Sequence, residues 1–135
     1  MQLHVLKAGT RGEIDAAFPH LVQLHTDALV VGTDVFFYDQ REQLVTLAAR
    51  HTIPVVYEGR AFPEAGGLLS CGPRTTAINH QLGFYIGKIL NGAKPADLPV
   101  IQPTVFELVL NLRTAKALAL TIPPSILYRA NEVIE

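Results

Sequence analysis

Three prolines recur at every fourth position between residues 91 and 106, in the stretch NGAKPADLPVIQPTVF. Proline fixes φ and has no backbone N–H, so Pro95, Pro99 and Pro103 cannot lie inside a helix or a central strand. The stretch is therefore predicted to be extended and stiff. Long connections without secondary structure are uncommon inside compact domains. This proline-rich connection therefore indicates that the chain passes here from one part of the fold to another.

Short apolar runs on both sides of this bridge are typical of buried β-strands. Asn, Asp, Gly and Pro bound several of them, and helical periodicity separates most of them from one another. Because parallel strands need a crossover, strands that alternate with helices predict a parallel sheet. The predicted strands are Leu3–Leu6, Ala28–Val31, Ile53–Tyr57, Gly67–Cys71 and Phe106–Leu112.

Capping signals and apolar spacing mark the helices. Thr10 and Glu13 form a capping-box pattern, and so do Asp39 and Glu42. Pro19 lies inside the first helix and is expected to kink it. Further helices are predicted over residues 75–91, 114–120 and 125–133. The resulting order is βαβαββα–bridge–βαα, which predicts an α/β fold.

Composition and charge exclude several classes of protein. Hydrophobic residues make up 49% of the chain and charged residues 17%, and the net charge is −1. Without a basic cluster, nucleic acid and anionic membrane surfaces are not expected partners. No apolar run approaches the roughly 18 residues of a membrane span. The high apolar fraction is typical of buried strands, or of a surface that meets another chain.

Catalytic and metal-binding signatures are missing from the sequence. It contains no GxGxxG, GxxxxGK[ST], HExxH or GxSxG motif. The five histidines share no spacing that would converge on a metal ion, and a single cysteine excludes an internal disulfide. We therefore expect no catalytic residue, metal or cofactor. One alternative stays open, a small cytosolic enzyme that uses Cys71 or Ser70 with a histidine such as His80.

Polar and aromatic residues follow the ends of neighbouring predicted strands. Thr33 and Asp34 come after ALVV, Tyr57-Glu58 ends the next strand, and Ser70 ends the one after. Ligands bind at this carboxyl edge in open parallel sheets, so a small-molecule pocket is expected there. The predicted ligand-binding residues are Thr33, Asp34, Phe36, Phe37, Tyr57 and Ser70.

Three long motifs carry a resemblance to a known family. They are the run KILNGAKPADLPVIQPTVFELVLNLRTAKALALTIPPSILYRANEVIE, the segment EIDAAFPHLVQLHTDALVVGTDVFF, and the segment IPVVYEGRAFPEAGGLLSCGP. Together they resemble the C-terminal part of the bacterial ABC-transporter substrate-binding protein family. The resemblance implies a three-layer, parallel-sheet lobe of a type I periplasmic binding protein. In that fold, two lobes joined by three crossings hold a solute in the cleft between them.

The resemblance also implies how the chain is divided. Residues 1–72 would be part of the C-terminal lobe, residues 73–104 a crossing helix with the proline bridge, and residues 105–135 the return strand and terminal helices. The chain matches less than half of a member, so a truncated lobe is expected. Such a lobe would expose an apolar helix face and a bare sheet edge, so a homodimer or larger assembly that covers both is expected. Two positions depart from the family pattern: Cys71 stands where tyrosine is usual, and Ala119 where glycine is usual.

The function implied is solute binding for an ABC importer, with a permease as partner and an aromatic or branched amino acid as the solute. The family is periplasmic, whereas MQLHVLKAGT does not resemble a signal peptide, so this chain as written is expected in the cytoplasm. The enzyme above and an assembly-only remnant without a ligand are the alternatives.

Overall fold

The computed structural model describes residues 2–135, which form a five-stranded sheet with helices. The strands follow one another across the sheet in chain order, and all neighbours are parallel except β3 and β4. This confirms the α/β fold predicted from the sequence. The strands are β1 Leu29–Val30, β2 Val55–Tyr57, β3 Leu69–Pro73, β4 Phe106–Asn111 and β5 Glu132–Ile134.

Seven α-helices and one 3₁₀ turn connect the strands within residues 2–135. The α-helices are α1 Arg11–Gln23, α2 Val35–Asp39, α3 Arg41–His51, α4 Ala61–Glu64, α5 Thr75–Leu90, α6 Leu112–Ala117 and α7 Pro124–Leu127; the 3₁₀ turn is Pro95–Asp97. None of them is long and apolar enough to cross a membrane.

The first capping box forms as predicted. The Glu13 N–H donates to Thr10 Oγ1 at 3.2 Å, and the Thr10 N–H donates to Glu13 Oε2 at 3.0 Å. The Gly9 N–H also donates to this carboxylate at 2.7 Å. These bonds, that of Gly9 most of all, lower the pKa of Glu13. The second predicted box is wrong, because α3 begins after Gln40 and has no side-chain cap.

Two predicted elements are corrected at the ends of the chain. Residues Leu3–Leu6 form no strand, and Leu3 and Val5 are 80% and 76% exposed. A β-permissive run becomes a strand only when a neighbour completes its ladder, and among the described residues β1 pairs only with β2.

The helix predicted over residues 125–133 ends at Leu127, and Glu132–Ile134 forms β5 instead. The Asn131 N–H donates to the Leu108 carbonyl at 2.8 Å, and Leu108 N–H donates back to Asn131 Oδ1 at 2.8 Å. This reciprocal pair starts the parallel ladder between β4 and β5. The observed order is therefore αβααβαβα–bridge–βααβ.

The core lies on one face of the sheet, under α1, α3 and α4. It contains Ile14 and Phe18 from α1 and Leu44 from α3. Tyr57 of β2 stacks on Phe62 of α4 with ring centroids 4.4 Å apart. Burial of these large side chains supplies most of the free energy that holds the helices on the sheet.

The opposite face is less covered. Strand alternation directs Val30 of β1 and Cys71 of β3 away from the core, and both are exposed. Over these positions the second helical layer of a three-layer lobe is not seen among the described residues.

Helix α5 and residues 91–105 form a projecting segment between β3 and β4. No residue of α5 is buried, and Leu82, Phe84 and Ile86 are each more than half exposed. The segment leaves and returns at one point, because the Arg74 N–H donates to the Val105 carbonyl at 2.9 Å. Residues 98–105 carry neither helix nor strand, as the prolines predict.

Substitution of Gly67 by alanine tests the packing of the core. A Cβ at Gly67 would lie 2.7 Å from Tyr57 Cε2 and 2.9 Å from the Phe62 carbonyl oxygen. We expect Gly67→Ala to lower the free energy of unfolding in urea by about 2 kcal/mol. Gly12→Ala is the control, since within residues 2–135 nothing beyond its chain neighbours and the adjacent helix backbone lies within 4 Å of its Cβ position. In α1 that change should raise stability by up to about 1 kcal/mol. Equal stability of the two variants would contradict the described packing.

Candidate functional site

A groove of about 260 Å³ lies where β1 and β2 end. Its walls come from the residues after these two strands, from α2 and α4, and from the first turn of α5. The lining relevant to chemistry is Thr33, Asp34, Phe37, Tyr38, Glu58 and Phe62. The groove is at the carboxyl edge of the parallel strands, where ligands bind in sheets of this type.

Asp34 ends the extended chain after β1 and caps α2. Its Oδ1 accepts a hydrogen bond from the Phe36 N–H at 2.7 Å, and its carbonyl accepts one from the Tyr38 N–H at 3.0 Å. Aspartate is favoured at this position because its side chain satisfies a free N–H of the first helical turn. The second carboxylate oxygen, Oδ2, makes no hydrogen bond within residues 2–135 and is available to a ligand.

The aromatic run after Asp34 divides between the groove and the core. Phe37 lines the groove, and both Phe36 and Phe37 pack against the core cluster. Tyr38 and Phe62, which were not among the predicted ligand-binding residues, also line the groove, and their rings meet edge to face with centroids 6.1 Å apart. Tyr38 could have been found as the third aromatic of the run, whereas nothing local to Phe62 marks it.

Two of the six predicted ligand-binding residues lie inside the core. Tyr57 and Ser70 are 2% and 1% exposed and are register partners on β2 and β3. Burial raises the pKa of the Tyr57 phenol. Strand β3 runs on to Pro73, two residues beyond its predicted end, so Ser70 lies within the sheet. A binding role for these two residues remains a prediction.

Glu58, the residue after β2, lies at the groove instead of Tyr57. It packs against Gly72 of β3, where a Cβ would overlap the Glu58 carbonyl oxygen and lie 2.7 Å from its Cγ. Its place directly after β2 was the signal that could have identified it, because residues that follow parallel strands meet at the carboxyl edge of the sheet.

Cys71 is exposed, and its neighbours in β3, Ser70 and Gly72, are buried. Because successive side chains of a strand alternate, the Cys71 thiol and the Ser70 hydroxyl belong to opposite faces of the sheet. Among residues 2–135, no three His, Cys, Asp or Glu side chains are placed to hold a metal ion.

A cluster of charges lies beside the groove, around Arg60, the residue that precedes α4. Its guanidinium pairs with Glu64 at 2.9 Å, with Glu132 at 2.9 Å and with Glu107 at 4.0 Å. Arg74, where the projecting segment begins, lies 3.7 Å from the same Glu107. The hydrogen bond from Arg60 to Glu64, and then the charges of Glu132, Glu64 and Glu107, raise the pKa of Arg60. The cluster links α4 and the return strands to the base of the projecting segment.

Comparisons with known proteins agree on one family. The family model described as "ABC transporter substrate binding protein" matches residues 1–134. The "Tyrosine-binding protein" of Clostridioides difficile (strain R20291) is 27% identical over 109 residues, which are 81% of this chain and 31% of that protein.

Solved structures of similar proteins are also longer than this chain. A Streptococcus pneumonia "ABC domain in complex with L-Trp" is 30% identical, with a TM-score of 0.80 over 93% of this chain and 43% of that one. A "conserved domain protein" from Vibrio cholerae is 25% identical, with a TM-score of 0.84 over 93% of this chain and 42% of that one. The chain thus spans less than half the length of each of these relatives.

Substitutions at Asp34 separate its cap from its charge. Asp34→Ala removes the acceptor for the Phe36 N–H, and we expect a loss of about 1 kcal/mol in the free energy of unfolding. Asp34→Asn keeps an acceptor oxygen and should stay within a few tenths of a kcal/mol of the parent chain. Urea unfolding measures both variants, and hydrogen exchange at the Phe36 amide reports the cap itself. An equal loss in both variants would show that the carboxylate charge, and not the cap, matters.

Proposed function

Since the chain belongs to the ABC transporter substrate-binding protein family, we propose that it forms one wall of a cleft that binds a small organic solute. The observation that carries this proposal is the groove at the carboxyl ends of β1 and β2. It combines a free carboxylate oxygen of Asp34 with the aromatic rings of Phe37 and Tyr38. An apolar pocket with a few placed polar groups is the usual form of a small-molecule site.

The solute we propose is an aromatic or branched amino acid. An ammonium group would pair with Asp34, Thr33 would add a hydroxyl, and the apolar side chain would lie against Phe37. Two relatives support this choice, since one is called a tyrosine-binding protein and another was solved with L-Trp. Both relatives are more than twice as long as this chain. Their solutes therefore support amino acids as the class of solute, and not one particular compound.

We propose binding without catalysis. Within residues 2–135, no histidine lines the groove, and neither Ser70 nor Cys71 does. Ser70 is buried in the sheet. A nucleophile needs an adjacent base and access to the substrate.

The projecting segment suits a chain that passes between two lobes. In this proposal residues 1–72 and 105–135 form one lobe, and residues 73–104 reach a second lobe that covers the groove. β3 and β4 are then two of the crossings, held side by side by their ladder. Closure of the lobes would exclude water from the solute. Delivery to an ABC permease outside the cytoplasm follows from the same proposal.

Ligand-induced stabilisation tests the groove. We expect L-Trp, L-Tyr or L-Leu to raise the Tm of the chain by a few degrees at about ten times the Kd, because binding to the native state adds roughly 1.4 kcal/mol there. Asp34→Asn should abolish most of the shift while it keeps the cap. Asp39→Asn is the control, since Asp39 lies in the same helix outside the groove. No shift with any amino acid, or an undiminished shift in Asp34→Asn, would reject the site.

We also propose that the chain self-associates through its exposed apolar surface. Leu82, Phe84 and Ile86 of α5 lie in solvent, as does Val30 on the open face of the sheet. Leu82 and Ile86 are four residues apart and share one face of α5, and exposed apolar surface of this kind is often covered by another chain.

Sedimentation velocity tests this association. We expect the parent chain to form dimers or larger species at micromolar concentration. A Leu82→Lys/Ile86→Lys variant should shift toward the monomer because it places two charges on the apolar surface. His80→Lys, an exposed polar position of the same helix, serves as the control and should sediment like the parent. A parent chain that is entirely monomeric would end the proposal.

A further inference from the structure

Glu58 is held at the groove by the backbone of the neighbouring strand. Gly72 is buried against it, and any side chain at Gly72 would overlap the Glu58 carbonyl and approach its Cγ. The first atoms of the Glu58 side chain are therefore held against β3. Because β1 and β2 are adjacent and parallel, the residues after their ends meet at one edge. Asp34 and Glu58 thus bring two carboxylates to the same groove.

No full positive charge balances these two carboxylates within the groove. Among the described residues, no Lys, Arg or His lines it. Arg41 lies 5.5 Å from the centre of the Tyr38 ring and donates to the Tyr38 carbonyl, outside the lining. The first turn of α5, at Thr75, adds only the partial charge of a helix N-terminus, about half of one unit. Arg60 and Arg74, beside the groove, are paired with Glu64, Glu107 and Glu132. The charged side chains that line the groove are therefore both acidic.

The rest of the lining is apolar and aromatic. Val31, Phe37 and Ile78 provide apolar surface, and Tyr38 and Phe62 add ring faces. Aromatic faces attract cations as well as apolar groups. A molecule with a cationic end and an apolar body complements both features of this surface, and a carboxylate complements neither.

We propose that this groove recognises a primary ammonium group on an aromatic or branched apolar body, held between Asp34 and Glu58, and that it disfavours a carboxylate. The inference rests on the proposed function and narrows it. When the solute is an amino acid, this lobe binds its ammonium group and its side chain. Simple amines without a carboxylate bind this chain at least as well as the corresponding amino acids do.

Three compounds with the same phenyl body test the inference: phenethylamine, L-phenylalanine and 3-phenylpropionate. They are titrated into the isotope-labelled chain, and amide chemical shifts around residues 31–38 and 57–59 are followed. We expect phenethylamine to bind as tightly as L-phenylalanine or several-fold more tightly. 3-Phenylpropionate should bind at least tenfold more weakly than the amine, because its only charge is repelled by both carboxylates.

Glu58→Gln isolates the second carboxylate. We expect it to weaken phenethylamine binding by about three- to tenfold, as for the loss of a partly exposed ion pair. It should also reduce the discrimination against 3-phenylpropionate. Glu42→Gln is the matched control, since Glu42 is exposed on α3 and does not line this groove. The order of the three compounds on the parent chain stands as a test even if a variant fails to fold.

The possible outcomes distinguish failure of this inference from failure of the proposed function. If L-phenylalanine binds more than tenfold tighter than phenethylamine, the groove recognises the carboxylate, and the inference fails while solute binding stands. An unchanged affinity in Glu58→Gln removes Glu58 from the site and likewise overturns the inference. If none of the three compounds shifts a resonance at millimolar concentration, both the inference and the proposed function are rejected.

Discussion

The antiparallel ladder between β3 and β4 is the constraint on which the rest of the structure depends. Five residue pairs, from Leu69 with Leu110 to Pro73 with Phe106, join the strands that precede and follow the projecting segment. This pairing returns the chain to the sheet after an excursion of more than thirty residues. It positions β4 for β5 and brings the Asn111 side chain to within 2.9 Å of the Pro63 carbonyl beside the core. Without that ladder, α6, α7 and β5 would have no sheet to join.

Local chemistry explains what could be predicted from the sequence. The Thr10–Glu13 box and the prolines of the bridge depend on residues close together in the sequence, and each acts as its pattern indicates. Asp34 belongs to this group, because the same side chain that follows β1 also caps α2. The edge of the groove that Asp34 contributes was therefore predictable from a short stretch of chain.

Pairing between distant segments explains what could not. Residues Leu3–Leu6 have strand composition but pair with no strand among the described residues. The C-terminal segment looked helical and became β5 because β4 lies beside it. Strand pairing also explains why the residues at the groove differ from those predicted. The phase of a strand is set by its partners, and it placed Tyr57 in the core, whereas Glu58, just beyond the end of β2, lies at the groove. The end of β3 at Pro73, and not at Cys71, similarly left Ser70 inside the sheet.

Charged groups in an open groove contribute little binding free energy, so one wall of a cleft can hold a solute only weakly. An ion pair in contact with water contributes only about 0–1 kcal/mol, because solvent screens it and competes for each partner. The same pair strengthens several-fold where water is excluded. Asp34 and Glu58 therefore determine which end of a solute enters this groove more than how tightly it is held. Tight binding needs a second surface over the groove, and the projecting segment leaves the sheet beside that groove, at Pro73 and Thr75.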